Sequence, residues 1–278
     1  VNFGDEMMHR RNVIKACLAG AGALAMPRVF AAPAALPAAA EASLTVPEAI
    51  NKAGRQRMLS QRCAKAWLMQ ALAVTPSVGT KVLQSSMALF ETQMLELSRL
   101  QPTADVQTAL VQLSADWQSY RAALLVPPSP DSAAQIYVRN EAVLSAAHAA
   151  TQAYERASGT TEGRLINVAG RQRMLSQRMA KFVYFARYGV ETQASVDALA
   201  KAREEFITAL ELLKAAPQNT AQITSELALA DQQWFFFQNA LGQGNSPKAL
   251  QAIATTSERI LEQLNLVVGL YEALAKPA

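Results

Sequence analysis

The residues of this sequence best suited to chemistry are arginines, and they come as a repeated set. The string AGRQRMLSQR at residues 53–62 returns without change at residues 169–178. Ile50 and Asn51 return as Ile166 and Asn167, and Ala64 and Lys65 as Ala180 and Lys181, all at an offset of 116. On a helix turning about 100° per residue, Ile50, Ala53, Gly54, Arg57, Gln61, Ala64 and Leu68 share one face. Gly54 and the alanines let a second backbone come close, with Arg57 in the middle of that small-residue surface. Ile166, Ala169, Gly170, Arg173, Gln177 and Ala180 form the equivalent face. A guanidinium stays protonated, and leaving one buried without a counter-charge costs several kcal/mol. No Asp or Glu lies between residues 49 and 90 or between 163 and 190. Two such helices side by side would bring Arg57 and Arg173 together, to be neutralised by carboxylates from elsewhere or by an anion. A small planar oxyanion fits guanidinium forks bidentately. Its departure would leave two like charges to repel, a two-state element suited to sensing.

A second stripe of the same helix carries Asn51, Arg55, Met58 and Arg62. Arg62 and Arg178 are further candidate ligands; the competing reading puts them, with Arg55 and Arg171, on a solvated face. Met58 and Met174 read as core, Cys63 as a small apolar residue, and His148 as incidental. Beyond residue 31 only Cys63 and His148 remain of their types. No internal disulfide, no His/Cys metal site and no His-dependent triad can be built from one of each. No cofactor is expected, and the protein reads as a non-enzyme.

The duplication extends well past the block. Phe90 matches Phe206 at 116, while Trp117 with Trp234, Leu144 with Leu261, and Tyr154-Glu155 with Tyr271-Glu272 match at 117. Elsewhere the copies have drifted, so something chemical acts on the block, because packing alone tolerates volume-conserving swaps. Apolar periodicity punctuated by Pro and Gly predicts helices over 46–73, 80–100, 104–126 and 133–157, then 162–188, 192–215, 218–241 and 246–275. The expected fold is all-α, two tandem antiparallel four-helix bundles related by pseudo-two-fold symmetry, at residues 46–157 and 162–275. Phe90, Phe206, Trp117, Trp234, Tyr154 and Tyr271 read as core anchors.

Residues 1–31 read as an export address. Arg10-Arg11 precedes a weakly apolar Ala/Gly stretch and small residues suited to cleavage near Ala31, the layout of a twin-arginine signal. An Ala/Pro-rich linker follows at 32–45, and the mature protein is expected in the periplasm. Residues 1–31 hold four Lys/Arg and two Asp/Glu, leaving 22 positive and 20 negative groups and a charge of +2. That is too mild for a nucleic-acid partner. No run past residue 31 approaches the roughly 18 apolar residues of a membrane span.

The pattern I-N-x-A-G-x-x-R-M-x-S-x-R at 50–62 and 166–178 resembles the P-box of NarX/NarQ-type nitrate sensors. Both copies are also similar to the N-terminal domain of type IV pili methyl-accepting chemotaxis transducers (the PilJ type). The sensor resemblance implies nitrate or nitrite held between two first helices by the arginine before the methionine, here Arg57 and Arg173. The sensors' lysine in this segment matches Lys52, whose second-copy counterpart is Val168, and Gly54, Gly170, Asn51 and Asn167 of the repeated segment complete the candidate ligand-binding set. The sensors' membrane helices and cytoplasmic module have no counterpart in this sequence, so a membrane sensor or chemoreceptor partner is expected to read the signal. The alternative is a protein-interaction module of a pilus, chemoreceptor or sensor-kinase system, suggested by the aromatic run Trp234-Phe235-Phe236-Phe237.

Overall fold

A computed structural model describes residues 43–244 and 246–276, and the expected signal, most of the linker and its export route lie outside them. Among the described residues the chain is all-α, with eight helices and no strand. They are α1 (Val46–Ala71), α2 (Pro76–Ser98), α3 (Ala104–Leu124), α4 (Pro130–Ser158), α5 (Thr161–Tyr188), α6 (Thr192–Lys214), α7 (Ala221–Gly242) and α8 (Pro247–Leu274). None is long and apolar enough to cross a membrane.

Local chemistry sets the boundaries. Thr45 and Glu48 form a capping box at α1, and Ser129 and Ser132 form one at α4. Thr103, Thr160, Thr220 and Ser246 each accept a backbone N–H at the start of α3, α5, α7 and α8. Each cap is worth about 1 kcal/mol. Two starts came earlier than the periodicity placed them, because Pro76 and Pro130 sit in the first turns of α2 and α4, where a missing N–H costs nothing. Between α4 and α5 the chain breaks at Gly159, whose φ of 63° stops a continuous helix.

The helices that carry the repeated block form the centre. α1 packs along α5 and against α2 and α4, while α5 packs against α6 and α8. α3 lies on α4, and α7 on α8. A helix apolar on every side is buried on every side, and α1 and α5 are the two most enclosed helices in sequence terms: Trp67, Leu68 and Met69, and Phe182, Tyr184 and Phe185, are all buried. The anchors recur at corresponding positions. Phe90 stacks on Trp117 with ring centroids 3.8 Å apart, and Phe206 on Trp234 at 4.5 Å. The Tyr154 hydroxyl donates to the Leu100 carbonyl at 2.6 Å, tying down the end of α2, and the Tyr271 hydroxyl bonds Asn219 Oδ1 at 2.7 Å beyond α6.

Candidate functional site

Arg57 on α1 and Arg173 on α5 meet in the seam between these helices, and neither exposes any surface to solvent. A glycine on each helix faces the two groups. A Cβ on Gly54 would stand 3.2 Å from Arg57 Nη2 and 3.8 Å from Arg173 Nη2; on Gly170 it would stand 3.4 and 3.5 Å from the same atoms, Arg173 first. The missing side chain at Gly54 leaves room that a Cβ would take from Arg57, whereas at Gly170 a Cβ would make ordinary contacts only.

The arginines cross the seam to main chain. Arg57 Nη2 donates to the Asn167 carbonyl at 3.1 Å. Arg173 Nη2 donates to the Asn51 carbonyl at 3.2 Å and to Asn51 Oδ1 at 2.8 Å. Each arginine also binds a neutral side chain of its own repeat. Arg57 Nη1 donates to His148 Nδ1 at 3.2 Å, and Arg173 Nη1 donates to Asn265 Oδ1 at 3.1 Å. Both Nε–H groups are buried without a partner. No ion pair to either guanidinium occurs among the described residues. Burial, with repulsion from Arg171, pulls Arg57 down to about 9 against the opposing pull of Glu155. Burial, then Arg55 and Arg57, pull Arg173 well below its ordinary value, with Glu272 opposing.

Carboxylates stand one step further out. Asn51 Nδ2 donates to Glu272 at 2.5 Å, and Asn167 Nδ2 donates to Glu155. Through an asparagine of the opposite repeat, each seam arginine is thus linked to an acidic group of its own repeat, Arg57 to Glu155 and Arg173 to Glu272, without bringing the two charges into contact.

The remaining candidates lie elsewhere, and three expectations are corrected. Lys52 pairs with Glu96 of α2 at 2.6 Å, so its ammonium is spent on its own repeat. Arg62 pairs with Glu258 at 2.5 Å and Arg178 with Glu141 at 2.8 Å. The solvated-face reading of these two therefore fails: each is partly buried and clamped to a carboxylate of the other repeat. Arg171 is likewise engaged, by Glu205 at 2.7 Å, and Arg55 is partly buried. His148 is not incidental, because it hydrogen-bonds Arg57 directly.

Sequence reasoning overlooked the buried lysines of the clamps. Lys65, fully buried, donates to Glu258 at 2.5 Å and to Ser257 at 3.1 Å. Lys181, also fully buried, donates to Glu141 at 2.6 Å and to Asn140 at 2.8 Å. Burial alone would raise the two carboxyl groups; the facing Lys181 and Arg178 hold Glu141 down to about 2, and Lys65 and Arg62 hold Glu258 there. Glu141 and Glu258 share the 117-residue offset of the other drifted matches, and that recurrence was the available signal.

Part of the invariance of the block is now accounted for. Gly54 makes space, Arg57 and Arg173 fill the seam, and Arg62 and Arg178 clamp the opposite repeat. Gln56 and Gln172 each donate to a main-chain carbonyl under the aromatic stack, that of Phe90 at 3.2 Å and that of Phe206 at 2.8 Å.

The described residues contain no group of three or more His, Cys, Asp and Glu able to hold a metal ion. No curated protein and no solved structure matches the chain. Residues 40–155 and 157–256 each match the model of a family described as the N-terminal region of type IV pili methyl-accepting chemotaxis transducers. The two matches together cover well over half of the sequence, and the chain belongs to this PilJ family, which it carries in two tandem copies.

Proposed function

We propose that this chain is a non-catalytic sensory module of the periplasm that takes a small oxyanion, of the nitrate or nitrite kind, between Arg57 and Arg173. The observation that carries the reading is the uncompensated pair itself: two fully buried guanidinium groups side by side, with no ion-paired carboxylate and an unpartnered Nε–H on each. An anion accepting from both groups supplies the missing counter-charge and acceptors. It draws α1 and α5 together, and its loss lets them repel, so occupancy biases the seam between two states. Membership of the PilJ family supports a chemoreceptor- or pilus-related partner that reads this change. Gly54, Gly170, Asn51 and Asn167 shape the site; Arg62 and Arg178, clamped by carboxylates, hold the repeats around it.

Isothermal titration of nitrate and nitrite into the native protein, Arg57→Met and Arg173→Met tests the reading. Binding in the native protein and none in either variant is expected. Heats that are absent throughout, or equal in all three, contradict it.

A second reading, a protein-docking module, has one specific support. On α7 the aromatic run splits: Trp234 and Phe237 are buried, whereas Phe235 and Phe236 are 61% and 56% exposed. Capture of a receptor component that survives loss of both seam arginines but not Phe235→Ser and Phe236→Ser would favour it.

A further inference from the structure

Arg57 also closes the inner end of a pocket of about 300 Å³ between α4, α5 and α6, at the lower end of the roughly 300–1,000 Å³ typical of small-molecule sites. Its walls are of two kinds. Leu144, Met174, Ala198 and Ala202 give one side an apolar lining, and Arg171, Lys201 and His148 give the other a set of hydrogen-bond donors. Arg57 can only donate, so His148 Nδ1 is the acceptor in their 3.2 Å contact and the ring proton sits on Nε2. That Nε2–H makes no hydrogen bond among the described residues. Lys201 has no ion-pair partner there either. The two carboxylates of the pocket are already engaged, Glu141 by Arg178 and Lys181, and Glu205 by Arg171. Lys201 therefore brings to the pocket a positive charge that neither of these carboxylates pairs with, beside the Nε2–H of His148 and the donors of Arg171 that its pair with Glu205 leaves over.

The other half of the molecule supplies an internal control. At the positions that correspond through the repeat, His148 becomes Asn265, Lys201 becomes Ser85, Ser145 becomes Glu262 and Ala198 becomes Val82. The ammonium of Lys201 and the imidazole of His148 give way to neutral hydroxyl and amide groups, Glu205 gives way to Leu89 while Glu262 enters, and a larger side chain stands where the apolar wall was open. Ala202 becomes Ser86, whose hydroxyl accepts from Arg62 at 3.0 Å and so closes that side on itself. Packing does not require such differences between two copies that keep the central block unchanged. They separate one half from the other in ligand-binding character.

We propose that the pocket between α4, α5 and α6 binds a short-chain organic carboxylate, with its acid group on Lys201, Arg171 and the Nε2–H of His148 and its hydrocarbon body against Leu144, Met174 and Ala198. The mixed lining selects against an inorganic oxyanion, which would leave the apolar wall empty, and the small volume selects against a long chain. This site is separate from the seam: it draws on Arg57 only as the group behind His148, and it makes no use of Arg173.

Titrating propionate, butyrate and succinate into the native full chain tests the proposal, with Lys201→Glu and Ala198→Phe as variants that remove the charge and fill the apolar wall. At least one acid binds the native protein, and each variant weakens it by about tenfold or more, the scale of a lost charged hydrogen bond. Lys201 is exposed, so Lys201→Glu folds as the native chain does. The same acid binds Arg173→Met with native affinity, whereas nitrate bound in the seam does not. Failure of all three acids to bind the native chain, or binding that survives both Lys201→Glu and Ala198→Phe, overturns the pocket. A silent nitrate titration beside a positive acid titration overturns the seam and leaves the pocket standing.

Discussion

Arg173 of α5 holds Asn51 of α1 twice, through the Asn51 carbonyl at 3.2 Å and its Oδ1 at 2.8 Å. Arg57 of α1 answers by donating to the Asn167 carbonyl at 3.1 Å. Each guanidinium thus reaches across to the opposite helix and finds neutral acceptors only, and the pair has hydrogen bonds without charge balance. A buried charge is stable when both needs are met. In this seam the second need is left open, and the proposed anion would meet it.

The clamps beside the seam are charge-balanced, and their energetics should differ accordingly. Glu258→Gln leaves Lys65 buried with no carboxylate and is expected to cost about 3–5 kcal/mol, read as a lower urea midpoint. Replacing Arg62, Lys65 and Glu258 together by Met, Met and Leu removes both signs of charge and is expected to restore most of that loss. A triple variant as unstable as Glu258→Gln would contradict the argument.

Stability should fall with acid in two stages. Burial, then Arg57 and Arg171, depress His148 from its ordinary 6.5 to about 4. Between these values the unfolded chain binds a proton that the folded chain refuses, so stability drops as the pH falls. From about 4.5 toward 2 the unfolded chain protonates Glu141 and Glu258 before the folded chain does, and stability drops again. Melting temperatures across pH 7 to 3 are expected to show both slopes, and His148→Asn, the residue found at 265, to flatten the first alone.

The eight helices were legible because Pro and Gly punctuate an apolar period, and the starts that were missed by three or four residues are those of α2 and α4, where Pro76 and Pro130 enter first turns, and of α7, which begins at Ala221 behind the Thr220 cap. The meeting of Arg57 and Arg173 was legible because small residues and a repeated arginine share one helix face. The clamps were not: the carboxylates that hold Arg62 and Arg178 come from α8 and α4, about 196 and 37 residues away along the chain, and the short-range rules of helix pairing reach only three or four residues. His148 escaped notice because its counterpart is Asn265, and only the coordinates show that both do the same thing, accept from the seam arginine.

The two seam glycines should respond differently to a methyl group. Alanine gains about 1 kcal/mol of helix propensity over glycine. At Gly170 the nearest atom is at 3.4 Å, an ordinary contact, so Gly170→Ala keeps the gain. At Gly54 the Cβ would press on Arg57 Nη2 at 3.2 Å and disturb its bond to Asn167. Gly170→Ala is expected to be the more stable variant by about 1 kcal/mol in thermal unfolding, and the reverse order would show that the seam is slack.

A double-mutant cycle in stability over Arg57→Met and Arg173→Met, run in buffer free of small oxyanions and again with saturating nitrate, reads the interaction between the two guanidinium groups directly. Without anion the two charges are expected to destabilise one another, so that either substitution relieves what the second would relieve. With nitrate that unfavourable coupling should vanish or change sign. A coupling that is zero or favourable in both buffers would mean that the pair is already balanced, and that the seam has no need of a ligand.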